Sequence, residues 1–296
     1  MQDRPTALHF LILLGLSLIW GSSYILIKYG LTVFSSRQIA VLRLGISALA
    51  LLPFVVVHLR RITARQLPML FLVGLTGTAL PSFLFPIAQT ELSSSLTGML
   101  SSLTPLCTLL VAWLVFHDRP LRQQGVGIAM GLAGALLLAW ISPTGGASGG
   151  SGHLGYAALV LGACICYGTS ANLVGVYFRE LPSLTITVVS FFLVGLPALV
   201  YAVLLGGIPA TVAAAGAEGW RALCFVALLA LGSTVLASFV FFRLVQRTGA
   251  VFASTVSYLI PVVALLWGLV DGEAVSWWQL PAILLVLLGV FLSKRT

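Results

Sequence analysis

The chain has 296 residues, of which 59% are apolar and only 7% charged, and its mean hydropathy is +1.11. A soluble domain carries roughly 25% charged residues, so the composition excludes a water-soluble fold and makes the lipid bilayer the first partner of the protein. The net charge of +8 calls for no nucleic acid, because most of the basic residues fall on one side of the membrane, as a rim beside anionic lipid headgroups.

A bilayer core of roughly 30 Å takes about 20 apolar residues per helix. Runs of that length fall at 8–29, 38–58, 67–89, 94–116, 121–141, 154–178, 183–205, 220–246, 249–270 and 277–293. They predict an all-α integral membrane protein with ten transmembrane helices. Arg4 followed by Phe10 to Trp20 imitates a signal peptide, but the apolar stretch continues to Leu31 and the ten-span plan needs it, so it is expected to be retained.

The first run contains Trp20, Gly21, Ser22, Ser23 and Tyr24. In the second, Arg43 follows Arg37 by about two turns, roughly 9 Å deeper. Long cationic stems snorkel from such positions. A pair with Glu91 would make Arg43 structural and a substrate carboxylate would make it functional; the structural role is the expectation here. Phe83 and Phe85 close the third run at alternate positions, roughly 200 degrees apart on a helix, so only one of them can face a cavity.

The fourth run is rich in hydroxyls: Ser94, Ser95, Thr97, Ser101, Ser102, Thr104 and Thr108. Gly98, Ser101, Pro105 and Thr108 recur at helical spacing and form one slightly polar stripe. Proline bends the helix and frees a carbonyl one turn earlier, which would offer a backbone acceptor to a cavity. In the fifth run Gly127 and Gly131 make a G-x-x-x-G step, suited to a homodimer or to a neighbour in the same chain. Residues 142–152, SPTGGASGGSG, have the composition of a flexible linker.

Beyond the linker the pattern returns. Phe83, Phe85, Gly98, Ser101 and Pro105 recur, 156 positions later, as Phe239, Phe241, Ser254, Ser257 and Pro261, with Tyr258 beside the second stripe. The first run is answered by Tyr167, Gly168, Thr169, Ser170 and Asn172, where the Asn172 amide needs a packing partner or a substrate. Residues 1–141 and 153–296 therefore read as two related halves joined by an external linker at 142–152. Five helices per half is odd, so the second half is expected upside down, giving two inverted five-helix repeats with a site between them.

Eleven basic residues fall on the side of the chain ends, namely Arg4, Arg60, Arg61, Arg65, Arg119, Arg122, Arg179, Arg243, Arg247, Lys294 and Arg295. Four, Lys28, Arg37, Arg43 and Arg221, fall on the other. The positive-inside rule then makes both termini cytoplasmic. His9, His58, His117 and His153 are scattered over span ends on both faces, and the four cysteines sit in apolar runs, so neither a metal site, a cofactor site nor a catalytic constellation is expected. No Asp or Glu falls in the middle third of a span, which argues against cation coupling.

The string IWGSSYILIKYGL (Ile19 to Leu31), then Arg43, then SSSLTGMLSSLTPLCTLLVAWLVF (Ser93 to Phe116) resembles the EamA family of the drug/metabolite transporter superfamily. The resemblance runs nearly the whole length of the chain. One departure is that the family often ends the fourth span with Gly-Glu, where this chain has His117-Asp118, while the ninth keeps Gly272-Glu273.

What the resemblance implies is a ten-helix carrier in the cytoplasmic membrane that moves small organic metabolites, commonly amino acids, outward. It also implies a cavity lined by helices one, three, four, six, eight and nine, with five and ten at the periphery. On the chemistry above, substrate contacts are expected from Trp20, Ser23, Tyr24, Gly98, Ser101, Pro105, Tyr167, Asn172, Ser254, Ser257, Tyr258 and Pro261. An aromatic gate would use Phe83, Phe85, Phe239 and Phe241. Hydroxyls, one amide and aromatic rings suit a neutral or zwitterionic small-molecule solute better than a phosphate ester, which would need deep Arg or Lys clusters. A channel or a non-transporting membrane protein remains the alternative; an intramembrane enzyme lacks its constellation.

Overall fold

A computed structural model describes residues 6–118, 122–141, 151–273 and 277–292. Most of the expected linker, residues 142–150, lies outside the described residues, as do Arg4, Arg119, Lys294 and Arg295. Ser151 and Gly152 already belong to the following helix.

The described residues are helical throughout, with no strand among them. We number the helices α1 (Ala7–Leu31), α2 (Ser36–Leu59), α3 (Ala64–Ala88), α4 (Ser94–Phe116), α5 (Arg122–Ile141), α6 (Ser151–Tyr177), α7 (Ser183–Leu204), α8 (Ile208–Thr248), α9 (Ala250–Val270) and α10 (Gln279–Leu292). Eight of them, α1–α4 and α6–α9, are long and apolar enough to cross a membrane. Helices follow from the solvent: hydrocarbon offers no partner to a backbone N–H or C=O, so each segment must satisfy its own. Large apolar side chains such as Leu11, Val56, Leu114, Val203 and Leu266 point outward, where lipid receives them.

Inside the bundle, small residues let backbones approach. A Cβ on Gly21 of α1 would lie 2.5 Å from Val263 of α9, and one on Gly168 of α6 would lie 2.8 Å from the Thr108 backbone of α4, next to Cys107. Gly98, near the start of α4, lies against Ala264, near the end of α9, so these two helices run antiparallel. Gly127 and Gly131 of α5 face Gly289 of α10. The G-x-x-x-G step is thus filled from within the chain.

Four irregular segments interrupt the helices. π turns occupy Leu75–Ala79 in α3 and Leu229–Leu236 in α8; 3-10 turns occupy Ser101–Leu103 in α4 and Thr255–Tyr258 in α9. Each 3-10 turn ends just before a proline, Pro105 or Pro261, whose missing N–H and ring deny the preceding turn its regular bond. α8 also begins earlier than the apolar run at 220. Helical turns start at Ile208 and break at Gly216, whose φ of 57° and ψ of −127° no helical residue adopts.

Candidate functional site: a central hydroxyl and aromatic cavity

The interruptions converge on one cavity. It is lined by Trp20, Ser23, Tyr24 and Ile27 of α1, Arg43 of α2, Gly77 and Phe85 of α3, Ser101 and Thr104 of α4, Tyr167 and Ser170 of α6, Ser233, Ser238, Phe241 and Phe242 of α8, and Ser254, Val256, Ser257 and Ile260 of α9. About 60 Å³ is open to the centre of a water-sized sphere, room for roughly four to six waters.

A π turn carries one extra residue per turn and leaves backbone groups free for outside partners. That of α8 is used by α1: the Trp20 indole Nε1 donates to Ser233 O at 2.8 Å, and Ser23 Oγ donates to Ser233 Oγ at 2.8 Å. The π turn of α3 meets α6 in the same manner, with Gly77 against Ser170. Ring contacts repeat this arrangement. Trp20 meets Phe241 edge-on at 5.1 Å, and Tyr167 stacks on Phe85 at 5.9 Å, while Tyr24 joins Phe85 at 5.6 Å. The hydroxyls bend back to their own helices, Ser101 Oγ donating to Gly98 O and Ser254 Oγ to Val251 O, so their lone pairs remain as acceptors.

Seven of the expected substrate contacts line this cavity: Trp20, Ser23, Tyr24, Ser101, Tyr167, Ser254 and Ser257. Five do not. Gly98 is packed against Ala264 and Tyr24, Pro105 and Pro261 are buried behind the 3-10 turns, and Tyr258 stands off the lining. The Asn172 Nδ2 donates to Thr108 O at 2.9 Å and to Gly168 O at 2.8 Å. Its amide locks α6 to α4, as the packing alternative requires. Of the two phenylalanine pairs, Phe85 and Phe241 face the cavity. Phe83 lines a separate apolar groove between α2, α3 and α7, and Phe239 lines neither.

Arg43 departs most from expectation. Its side chain is 5% exposed and lines the cavity, its Nε donates to Thr234 Oγ1 at 2.6 Å, and it also engages the Tyr167 hydroxyl. The expected pair with Glu91 is not formed; Glu91 is exposed. Gly77, Thr104, Ser170, Ser233, Ser238 and Phe242 were also missed. For Gly77, Ser233 and Ser238 a signal existed: Gly77 and Ser233 are 156 apart, and Ser238 follows Ser82 by the same interval.

At one end of the bundle a charged cluster ties three helices. Lys28 of α1 pairs with Asp271 and, at 2.8 Å, with Glu273; Tyr29 Oη donates to Asp271 at 2.5 Å. Glu273 also accepts from Ser94 N at 3.1 Å and Ser95 N at 3.0 Å, a carboxylate seated on the N-terminus of α4, where the helix dipole favours it. Burial alone would raise the Glu273 carboxyl, but Lys28 and the hydrogen bonds from Ser95 and Ser94 hold it down at about 2. Asp271 is likewise lowered: Lys28 and Tyr29 outweigh its burial.

Membrane-crossing helices around a central cavity of hydroxyls, rings and one guanidinium are the build of a membrane transporter. The chain belongs to the EamA-like transporter family, which it matches twice, over residues 8–140 and 154–295. It is 29% identical over 309 residues to a protein of Escherichia coli strain K12 named as the uncharacterized inner membrane transporter YedA, covering 99% of this chain and 94% of that one. A shorter match, 26% identical over 40% of this chain and 41% of the relative, is to the probable terminal-alkyne amino-acid exporter of Streptantibioticus cattleyicolor. A solved crystal structure shares the fold with a TM-score of 0.65 and 17% identity, over 98% of this chain and 97% of the other. The protein is a multi-pass inner-membrane transporter and not an enzyme.

Proposed function

We propose that the protein is an alternating-access carrier for small organic metabolites, amino acids or closely related solutes foremost, built as two inverted five-helix repeats with both termini in the cytoplasm. The observation that carries this reading is the twofold repetition of the cavity wall. Trp20 on Phe241 is matched by Tyr167 on Phe85, and the π turn of α8 against Ser23 by that of α3 against Ser170. Two copies of one wall, facing each other across a shared solute site, can exchange roles and open it to either side. The antiparallel course of α4 and α9 and the double family match support the inverted arrangement.

The amino-acid assignment is supported by the name of one partial relative and by the mixed lining of hydroxyls and rings. Among the described residues no carboxylate lines the cavity, which favours a facilitator or exchanger over a cation-coupled pump. The test is counterflow in proteoliposomes. Labelled solute should accumulate transiently against unlabelled solute inside, and should continue to do so when the proton gradient is collapsed. Linear, unsaturable flux would make the protein a channel; loss of accumulation with the proton gradient would make it proton-coupled.

A further inference from the structure

A buried guanidinium in a membrane protein is normally neutralised by a carboxylate, because an isolated charge in a low-dielectric interior is costly. Arg43 is 5% exposed, yet among the described residues the ion pairs join only Lys28 to Asp271 and Glu273, and Arg221 to Glu218. Among the described residues the cavity it lines holds no acidic group. Its nearest partners are neutral hydroxyls. Thr234 Oγ1 gives its proton to Leu229 O at 3.2 Å and turns a lone pair to Arg43 Nε, so the π turn of α8 fixes the plane of the guanidinium. That contact and the Tyr167 hydroxyl leave most of the five N–H donors without a protein partner, and among the described residues of the wall no negative charge cancels that of the fork.

We infer that Arg43 is the anion-recognising residue of this cavity and that the carried solute presents it with a carboxylate, its remaining part lying against Trp20, Tyr24, Phe85 and Phe241. The planar fork matches a carboxylate through two parallel N–H···O bonds, and bound solute supplies the missing negative charge. The guanidinium makes the cavity discriminate by the carboxylate: a monocarboxylate or a zwitterion enters, and a solute whose carboxyl is blocked as an amide does not. This rests on the carrier reading above and goes beyond it, naming the group that the solute must carry.

The experiment is a thermal-shift series on the purified full chain, with monocarboxylates of graded size from acetate to 3-phenylpropanoate, phenylalanine as the zwitterion, and the amide of each, at constant chloride. Binding to the folded form raises the melting temperature. The expected result is that at least one carboxylate stabilises the wild type while its amide does not. Arg43→Gln should weaken that binding about tenfold to a hundredfold, the range of a hydrogen bond to a charged group, and Arg43→Lys should retain part of it. If Arg43→Gln does not fold, Thr234→Val keeps the charge but frees the fork and should lower the carboxylate-to-amide preference. The inference falls if no carboxylate shifts the wild type, if amides bind equally, or if the variants keep the preference. It falls also if added chloride alone reproduces the shift, since an inorganic ion would then satisfy the site. Counterflow of an uncharged solute without carboxylate binding would remove this inference and leave the carrier; carboxylate binding without exchange of any solute would do the reverse.

Discussion

Glu273 reaches from the end of α9 to Lys28 of α1, 2.8 Å away, and the same carboxylate accepts the first two N–H groups of α4. Three helices of the cavity wall are thereby closed at one end by a single side chain. Glu273→Gln keeps the shape and loses the charge, and should cost about 1.5–3 kcal/mol, the range for hydrogen bonds to a charged group, read as a lower melting temperature at pH 7. The folded carboxyl, at about 2, lies below its ordinary value of 4.5. Its contribution is therefore complete above pH 4.5 and is lost as pH falls from there toward 2. Wild type and variant should converge in stability at the acid end; a constant gap across that window would contradict the assignment.

Asn172→Ala removes the two bonds from α6 to Thr108 O and Gly168 O. Both carbonyls keep their helical N–H partners, so the loss should be about 0.5–1.5 kcal/mol per bond, while affinity for a bound solute stays unchanged because the amide does not line the cavity. Melting temperature and ligand-induced shift measured on the same sample separate the two effects.

Phe85 and Phe241 face the solute space, whereas Phe83 and Phe239 do not. Alanine at Phe85, which is 2% exposed, should destabilise the protein by about 3–5 kcal/mol and reduce counterflow, and Phe241→Ala should reduce counterflow as well. Phe83→Ala and Phe239→Ala should leave exchange close to wild type when rates are compared at equal protein.

Gly289 packs on the backbone of Gly127 and Gly131, where a Cβ would stand 2.5 Å from Gly131 N. Gly289→Leu should push α10 from α5 and destabilise by about 1–3 kcal/mol, the usual cost of overpacking. No described residue of α5 or α10 lines the cavity, so the solute affinity of the folded fraction should be unchanged, a comparison that ligand titration by thermal shift provides.

How much of this was legible in advance depends on which residues carry the signal. The interval of 156 linked Phe85 to Phe241 and Ser101 to Ser257 before any coordinates, and all four line the cavity. Period alone showed that one phenylalanine of each pair must turn away. The polar character of Asn172 was equally visible, but not its employment, since an amide bonding two backbone carbonyls and an amide awaiting a solute look the same in sequence. The π and 3-10 turns were also hidden: Pro81, Pro105 and Pro261 follow three of the four without showing which kind of turn precedes them, and α8 makes its π turn without a proline.

The sequence by itself determined the solvent, the helical state and the duplicated pattern, because hydrocarbon forbids unsatisfied backbone and charge is too scarce for water. Only the tertiary structure decided how each helix is turned about its axis. A segment such as α2, apolar on nearly every side, has little preferred face of its own, and close packing of Gly195 on Leu44 and Ala48 and of Gly45 on Leu199 sets its rotation. That rotation delivers Arg43 to Thr234 and the cavity instead of to Glu91 at the rim. Hydropathy carries no information about such an angle; interlocking backbones do.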